Sequence, residues 1–346
     1  MPGFRTHYLF GWKALSQFVP NPKEDFLDRH PAAFQIGLQG PDVFFEDPFQ
    51  YLFHKENIGI RMHGEGTMDF FSNLIDARNH LLTKKDRSIA DAYIAGYIGH
   101  YTLDTVMHPY INYRTKSTEN KEKTTYLYGI HVLLESDIDK ALLRHFLHLR
   151  PSQFSCAETI AISPNEASVL SCLLAKAIHK TYPGSRENAF SIRLSLRWMR
   201  FMMGLTHDRW GIRKKIVRRL DEALFRHAFL STVIVTDDCH TYPDPCNLRH
   251  RTWCNPDEPS LTSQKDFYEL FAEAEVSFIQ RIHMYSGLIA ALPKKNLKNL
   301  SKQAVSGIHR RIHPSKESQE ESDYYGRLNC LLSELGDLSF DTGLPL

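Results

Sequence analysis

The stretch GHYTLDTVMHPY, residues 99–110, decides how this chain is read. Inside an otherwise apolar run it sets His100, Asp104 and His108 at strict four-residue intervals. Each such step along an α-helix rotates the side chain by only about 40°, so the groups form one slowly winding stripe. Two imidazoles and a carboxylate aimed the same way predict a metal site on a helix. Across the stripe the drift reaches about 80°, too much for one ion to take every group. His100 and His108 are therefore expected to serve different ions, with Asp104 bridging between them.

Four-residue pairs recur elsewhere. His131 and Glu135, His240 and Asp244, His313 and Glu317, and His309 and His313 of HRRIH are all so spaced, and with 18 His and 40 acidic residues such pairs decide nothing. A His, acid, His triple is much rarer and carries the argument.

With 346 residues the chain has ample core for one large domain or two ordinary ones. A formal charge of +2 is nearly neutral and gives no argument for a dedicated nucleic-acid binder. The 21 Phe and 15 Tyr suit large helical cores or an apolar cleft. No run of about 18 apolar residues is present, which argues against a spanning helix. The patch in MPGFRTHYLFGWKAL is too short and too interrupted for a secretory signal, so a cytoplasmic protein is expected. The cysteines, Cys156, Cys172, Cys239, Cys246, Cys254 and Cys330, contain no CxxC pair and suit a reduced compartment.

Helical periodicity dominates. Helices are expected at 64–83, 88–113 (capped by Ser88), 125–148, 164–181, 186–205, 209–229, 265–291 and 296–312, giving an all-α fold. Breaks fall at 20–31, 114–125 and 237–260, and SKESQEESD (315–323) reads as an exposed loop. Residues 1–206 are expected to form a helical domain carrying the site, and 207–346 a C-terminal helical extension packed on it.

A metal cluster needs ligands from several elements. The helix following the triple supplies GIHVLLESDID, with His131 and Glu135 one turn apart and expected to face His108. Upstream, LQGPDVFF sets Asp42 at a turn, RMHGEG sets His63 just before a helix, and THYLFG contributes His7. In loops such residues commonly serve turns and caps. Taken in order, however, His7, Asp42, His63, His100, Asp104, His108, His131 and Glu135 resemble the ligand set of the bacterial zinc-dependent phospholipase C family. That family shares its helical fold with the S1/P1-type nucleases.

The resemblance implies a multi-helix phospholipase C/P1 nuclease-like bundle with a metal cluster between helices, and about two to three zinc ions. Asp42, His63, His100 and Asp104 would hold one zinc, His108, His131 and Glu135 a second, and His7 with bridging Asp104 a third. Ligands without thiolate suit an open, water-bearing cluster. Three departures accompany the likeness. The secreted relatives start on a Trp whose amino group ligates the third zinc, whereas this chain reads Met1, Pro2; the Asp104 to His108 spacing is shorter; and Val43 replaces the aromatic residue of choline-preferring members.

The implied activity is zinc-dependent phosphoric ester hydrolysis, phospholipase C-like, by a zinc-bound hydroxide with Asp42 as catalytic base or orienter. The expected substrate is a phospholipid or another phosphoester, with Phe44, Phe45, Phe49 and Tyr51 as an apolar lip. The alternatives are a non-catalytic zinc or lipid-binding protein on the same fold, and a nuclease or nucleotidase. RWGIRKKIVRRL (209–220) is either a solvated basic face or a peripheral contact with anionic lipid. Residues 237–260 gather Cys239, His240, Cys246, His250 and Cys254 at spacings that match no zinc finger, and an ordered loop is expected there.

Overall fold

The computed structural model describes residues 3–17, 26–45, 57–115, 124–206, 208–237, 242–292 and 316–346. Among them the architecture is all-α. In chain order the helices are α1 (Phe4–Gln17), α2 (Phe26–Arg29), α3 (Pro31–Gly37), α4 (Ile58–Gly64), α5 (Thr67–Asn79), α6 (Lys84–Thr115) and α7 (Thr124–Leu147). After these come α8 (Cys156–Thr159), α9 (Pro164–Thr181), α10 (Ala189–Leu205), α11 (Ile212–Leu224), α12 (Phe267–Ala290) and α13 (Lys316–Leu335). A two-stranded antiparallel hairpin, β1 (Trp253–Cys254) and β2 (Thr262–Ser263), adds the strand content.

The central element is α6, buried all round from Ile89 to Leu103, as a helix enclosed by neighbours must be. It starts a turn earlier than expected. Thr83, rather than Ser88, accepts the Asp86 N–H at 3.0 Å, and Ser88 lies inside the helix. α3 packs almost backbone to backbone against α6, because Gly37 and Gly96 face each other and a methyl group on either would strike the opposing main chain. This approach holds the segment after α3 directly over His100.

Charge inside the bundle is paired where the chain alone must satisfy it. Arg78 of α5 grips Asp91 of α6 through two hydrogen bonds of 2.6 and 2.7 Å, and Tyr285 of α12 donates to the same carboxylate at 2.7 Å. Capping boxes start α9 at Ser163 and Glu166 and α12 at Asp266 and Glu269, close to the expected positions.

Several expectations are corrected. Residues 4–17, where no helix is expected, form α1, and His63 sits in the last turn of its own short helix, α4. SKESQEESD begins α13 instead of a loop. The helix expected at 209–229 is shorter, because Gly211 enters with φ +67° and buried Asp221 takes the N–H groups of Phe229, Leu230 and Ser231 into a separate turn. The helix expected at 296–312, Phe49, Tyr51, Cys239, His240, His309 and His313 lie outside the described residues.

Past α13 the chain folds back on itself. Ser339 N–H donates to Leu344 C=O at 2.9 Å and Leu346 N–H to Asp337 C=O at 2.8 Å. The Tyr101 hydroxyl on α6 lies 3.0 Å from the Leu335 carbonyl and receives the Leu338 N–H at 3.2 Å. One core cluster runs from Leu9 to Phe340. Among the described residues no helix is long and apolar enough to cross a membrane.

Candidate metal centre

Five parts of the fold converge on the stripe of α6. Asp139 on α7 anchors the first: it accepts the Thr6 N–H at 2.8 Å, the Thr6 hydroxyl at 2.7 Å and the Arg5 N–H at 3.2 Å. Those bonds satisfy orphan donors at the start of α1 and bring His7 to the stripe. Asp139 lies one turn beyond Glu135, so α7 offers ligands on one turn and an anchor on the next. The second part is the 3-10 turn Gly40–Phe44, which carries Asp42. Its entry is Gly40 at φ +50°, where any side chain would collide with the His100 ring. α4 brings His63, α7 brings His131 and Glu135, and the C-terminal tail supplies Phe340.

The resulting distances are short. His7 Nε2 lies 3.2 Å from Asp104 Oδ1, and His100 Nε2 lies 3.1 Å from Asp104 Oδ2. His63 Nε2 is 3.2 Å from Asp42 Oδ1 and 3.9 Å from Asp104 Oδ2, while His100 Nε2 is 3.7 Å from Asp42 Oδ1. On the other side, His108 Nδ1 is 3.9 Å from Asp104 Oδ2, and His131 Nε2 is 2.8 Å from Glu135 Oε1. Among the residues expected as ligands, candidate atoms cluster within 4.8 Å of one another in three sets: His63, His100 and Asp104; His7, Asp42 and His100; and His108, His131 and Glu135. The structure thus brings every sequence-expected site residue together. It also divides them as the winding stripe requires, with His108 grouped with Glu135 and not with His63.

Three histidines are oriented alike. His63 Nδ1 lies 2.7 Å from the Gly59 carbonyl, His100 Nδ1 3.1 Å from that of Leu38, and His108 Nδ1 2.7 Å from that of Phe340. A carbonyl can only accept, so each Nδ1 carries the proton and each Nε2 presents a lone pair inward. This is how metal-bound imidazoles are usually held. The inward atoms, His63 Nε2, His100 Nε2, His108 Nε2, Asp42 Oδ1 and both oxygens of Asp104, are buried with no hydrogen-bond partner among the described residues. Buried polar atoms left so in one place are costly unless something else satisfies them.

The electrostatics agree. Burial opposes the charge on Asp104, yet His100 and His108 outweigh it and hold the carboxyl well below its usual range. Burial also opposes protonation of His100, but Asp104 and Asp42 prevail and raise its pKa. At His108 burial holds the ring neutral, its pKa well below the ordinary value, and at Glu135 burial raises the carboxyl. The carboxylates favour positive charge at their centre, and the Nε2 lone pair of the neutral His108 ring is buried beside it without a hydrogen-bond partner among the described residues. Imidazole and carboxylate donors without thiolate fit zinc in an open cluster.

A cleft of about 120 Å³ opens on the centre at Asp42 and Glu135. Its walls are chiefly apolar, from Phe45, Val132, Met199, Met203, Val233 and Val235, with Arg5 among the polar groups. Phe44 is a core residue, so of the described aromatics expected at the lip only Phe45 reaches the cleft.

Sequence reasoning missed the tail. Fully buried Phe340 packs its ring 5.0 Å from His63, 5.7 Å from His100 and 4.9 Å from Tyr101, while its N–H donates to the His63 carbonyl at 3.0 Å. Asp341 Oδ1 stands 3.6 Å from His108 Nδ1. A main-chain carbonyl 232 residues from its partner leaves no motif, and nothing in SFDTGLPL reveals this role beyond a compact turn.

An all-helical protein with a buried, multi-histidine, multi-carboxylate candidate metal centre beside an apolar cleft is the class that fold and site define. The zinc dependent phospholipase C family model matches residues 6–192, more than half of the chain, and the protein belongs to that family. Comparisons with curated proteins and with solved structures returned no match.

Proposed function

We propose that the chain is a zinc-dependent phosphodiesterase whose substrate is a phospholipid or a similar diester with an apolar leaving group. The observation that carries this reading is the set of inward-facing, unpartnered Nε2 and carboxylate atoms at the inner end of an apolar cleft. His63, His100, Asp42 and Asp104 would hold one zinc and His108, His131 and Glu135 another, with His7 and Asp104 available to a third. When bound, zinc lowers the pKa of water towards about 7 and draws negative charge from phosphoryl oxygens.

The protein's own groups do the rest. Asp42 joins the centre to the cleft: its Oδ1 faces His63 Nε2 at 3.2 Å, and its carboxylate would be the group to orient an attacking water and take its proton. Arg5 lines the cleft with its Nη1 3.6 Å from Asp139, and sets a positive charge in the wall that favours a phosphodiester anion. Met199, Met203, Val233 and Val235 exclude water beside the leaving group and match the first carbons of a glycerolipid. About 120 Å³ accommodates a phosphate and its nearest substituents, so acyl chains would leave the cleft.

The test uses bis-nitrophenyl phosphate, a short-chain phosphatidylcholine and a dinucleotide as substrates. The reading expects turnover of the first two, lost on chelation, restored by zinc and abolished by Asp104→Asn. No turnover of any phosphodiester by zinc-loaded protein would leave a non-catalytic binder. Turnover of the dinucleotide alone would make it a nuclease.

A further inference from the structure

We propose that α11 and the turn before it form a docking surface for an anionic lipid bilayer, a role that builds on the reading of the adjoining cleft as a phospholipid site. The helix sits on the protein the wrong way round. Its apolar stripe faces outward, with Ile212 60%, Ile216 54%, Leu220 54% and Leu224 71% exposed, while its inward contact is made by Asp221, fully buried. Trp210, just ahead of it, is 74% exposed. A surface helix normally turns that stripe to the core, so the inversion marks a face with no partner among the described residues.

The charges state what that partner is. On the helical projection Lys215 and Arg219 border one edge of the stripe and Arg213 the other, and Arg209 lies 5.0 Å from the Trp210 ring. The acidic groups of this helix do not offset them: Asp221 is buried, and Glu222 is engaged by Arg218 at 3.0 Å. An apolar ridge with a Trp, fringed by cations, matches acyl chains below a layer of anionic headgroups. A second copy of the chain would set cations against cations, which disfavours self-association.

The ridge is also built into the cleft. Asp221 takes the N–H of Ser231 at 2.7 Å, and Val235 N–H donates to the Thr206 carbonyl at 2.8 Å. Thr206, Thr232, Val233 and Val235 line the cleft. On the neighbouring α10, Met199 and Met203 line it while Phe201 and Leu205 are exposed, and Arg213 Nη1 donates to the Leu205 carbonyl at 3.1 Å. Seating α11 on a bilayer would thus set the membrane against elements that form the cleft wall.

The experiment is co-sedimentation of the zinc-loaded full-length protein with vesicles of phosphatidylcholine alone, or of phosphatidylcholine and phosphatidylglycerol in equal parts. Parallel assays use soluble bis-nitrophenyl phosphate. Wild type should bind the anionic vesicles and not the neutral ones. Lys215→Gln with Arg219→Gln should weaken binding about 30-fold, at about tenfold per 1.4 kcal/mol and about 1 kcal/mol for each basic residue near the surface. Ile216→Ser with Leu220→Ser should abolish it, with soluble-substrate turnover and melting temperature unchanged. Equal binding of wild type and both variants, no binding by wild type, or a wild-type dimer that Ile216→Ser with Leu220→Ser dissolves would overturn the proposal. If wild type binds vesicles but turns over no diester, the docking surface stands and the catalytic reading fails. Turnover without vesicle binding gives the reverse.

Discussion

The centre on α6 and the face of α11 invert the usual distribution of residues in opposite senses. At the first, most of the imidazoles and carboxylates lie buried with inward atoms unsatisfied by the described chain, and at the second, isoleucines and leucines stand in solvent on a well-formed helix. Each inversion costs free energy in the isolated chain. On the readings proposed above, the same criterion, a group whose surroundings do not suit it, points inward to a metal and outward to a surface. Arg78 and Asp91 mark the contrast: they too are buried charges, but their bidentate pairing and the Tyr285 hydroxyl satisfy them within the fold. They call for nothing from outside.

The largest expected effect comes from Asp104, whose oxygens approach His7, His63 and His100 and lie 3.9 Å from His108. Asp104→Asn should lower phosphodiesterase turnover by more than the roughly 10–100-fold that loss of a supporting residue costs, and should reduce the zinc held per chain. Normal turnover by that variant would dissolve the contrast between the centre and the rest of the core. Next comes the internally satisfied pair. Asp91→Ala leaves Arg78 buried and uncompensated, so denaturant unfolding should show a loss of about 3–5 kcal/mol, with the zinc content of the folded fraction unchanged.

How much of this was legible follows from where each signal lies along the chain. His100, Asp104 and His108 stand in one helical period, and their spacing alone gives the division between ions that the structure reproduces as a geometric grouping. His131 and Glu135 share that spacing one helix later, but as one pair among several they gain weight only beside the triple. His7, Asp42 and His63 have no periodicity to announce them and were gathered by likeness to a family. What makes them converge is invisible in pattern: Asp139 anchoring α1, and Gly40 clearing the His100 ring. The tail is less visible still, because Phe340 orients His108 through its main chain, which every residue type possesses. At α11 the basic and apolar residues are plain in RWGIRKKIVRRL, but which face turns outward depends on where Asp221 docks.

The tail gives a smaller and more selective prediction. Deleting residues 339–346 removes the carbonyl that fixes the His108 tautomer, and zinc affinity by chelator competition should fall about 10–100-fold. Phe340→Ala retains that carbonyl but empties a core position, so it should act mainly on stability, by about 3–5 kcal/mol. Loss of zinc affinity to the same degree in both would assign the effect to packing and not to orientation. The smallest effect belongs to the exposed ridge. Ile216→Ser with Leu220→Ser should change unfolding free energy by no more than about 0.5 kcal/mol for each substitution, as expected of side chains that bury little. A much larger loss would mean that this face is covered in the free protein, and the opposition between the two regions would disappear.

The central claim is that the polar groups gathered around Asp104 are buried because they hold metal. The most direct measurement is elemental analysis of the protein purified without chelator, beside that of Asp104→Asn. The account predicts about two to three zinc ions per wild-type chain and a clear reduction in the variant. Fewer than about one tightly held zinc in wild type, or an unchanged content in Asp104→Asn, would contradict it.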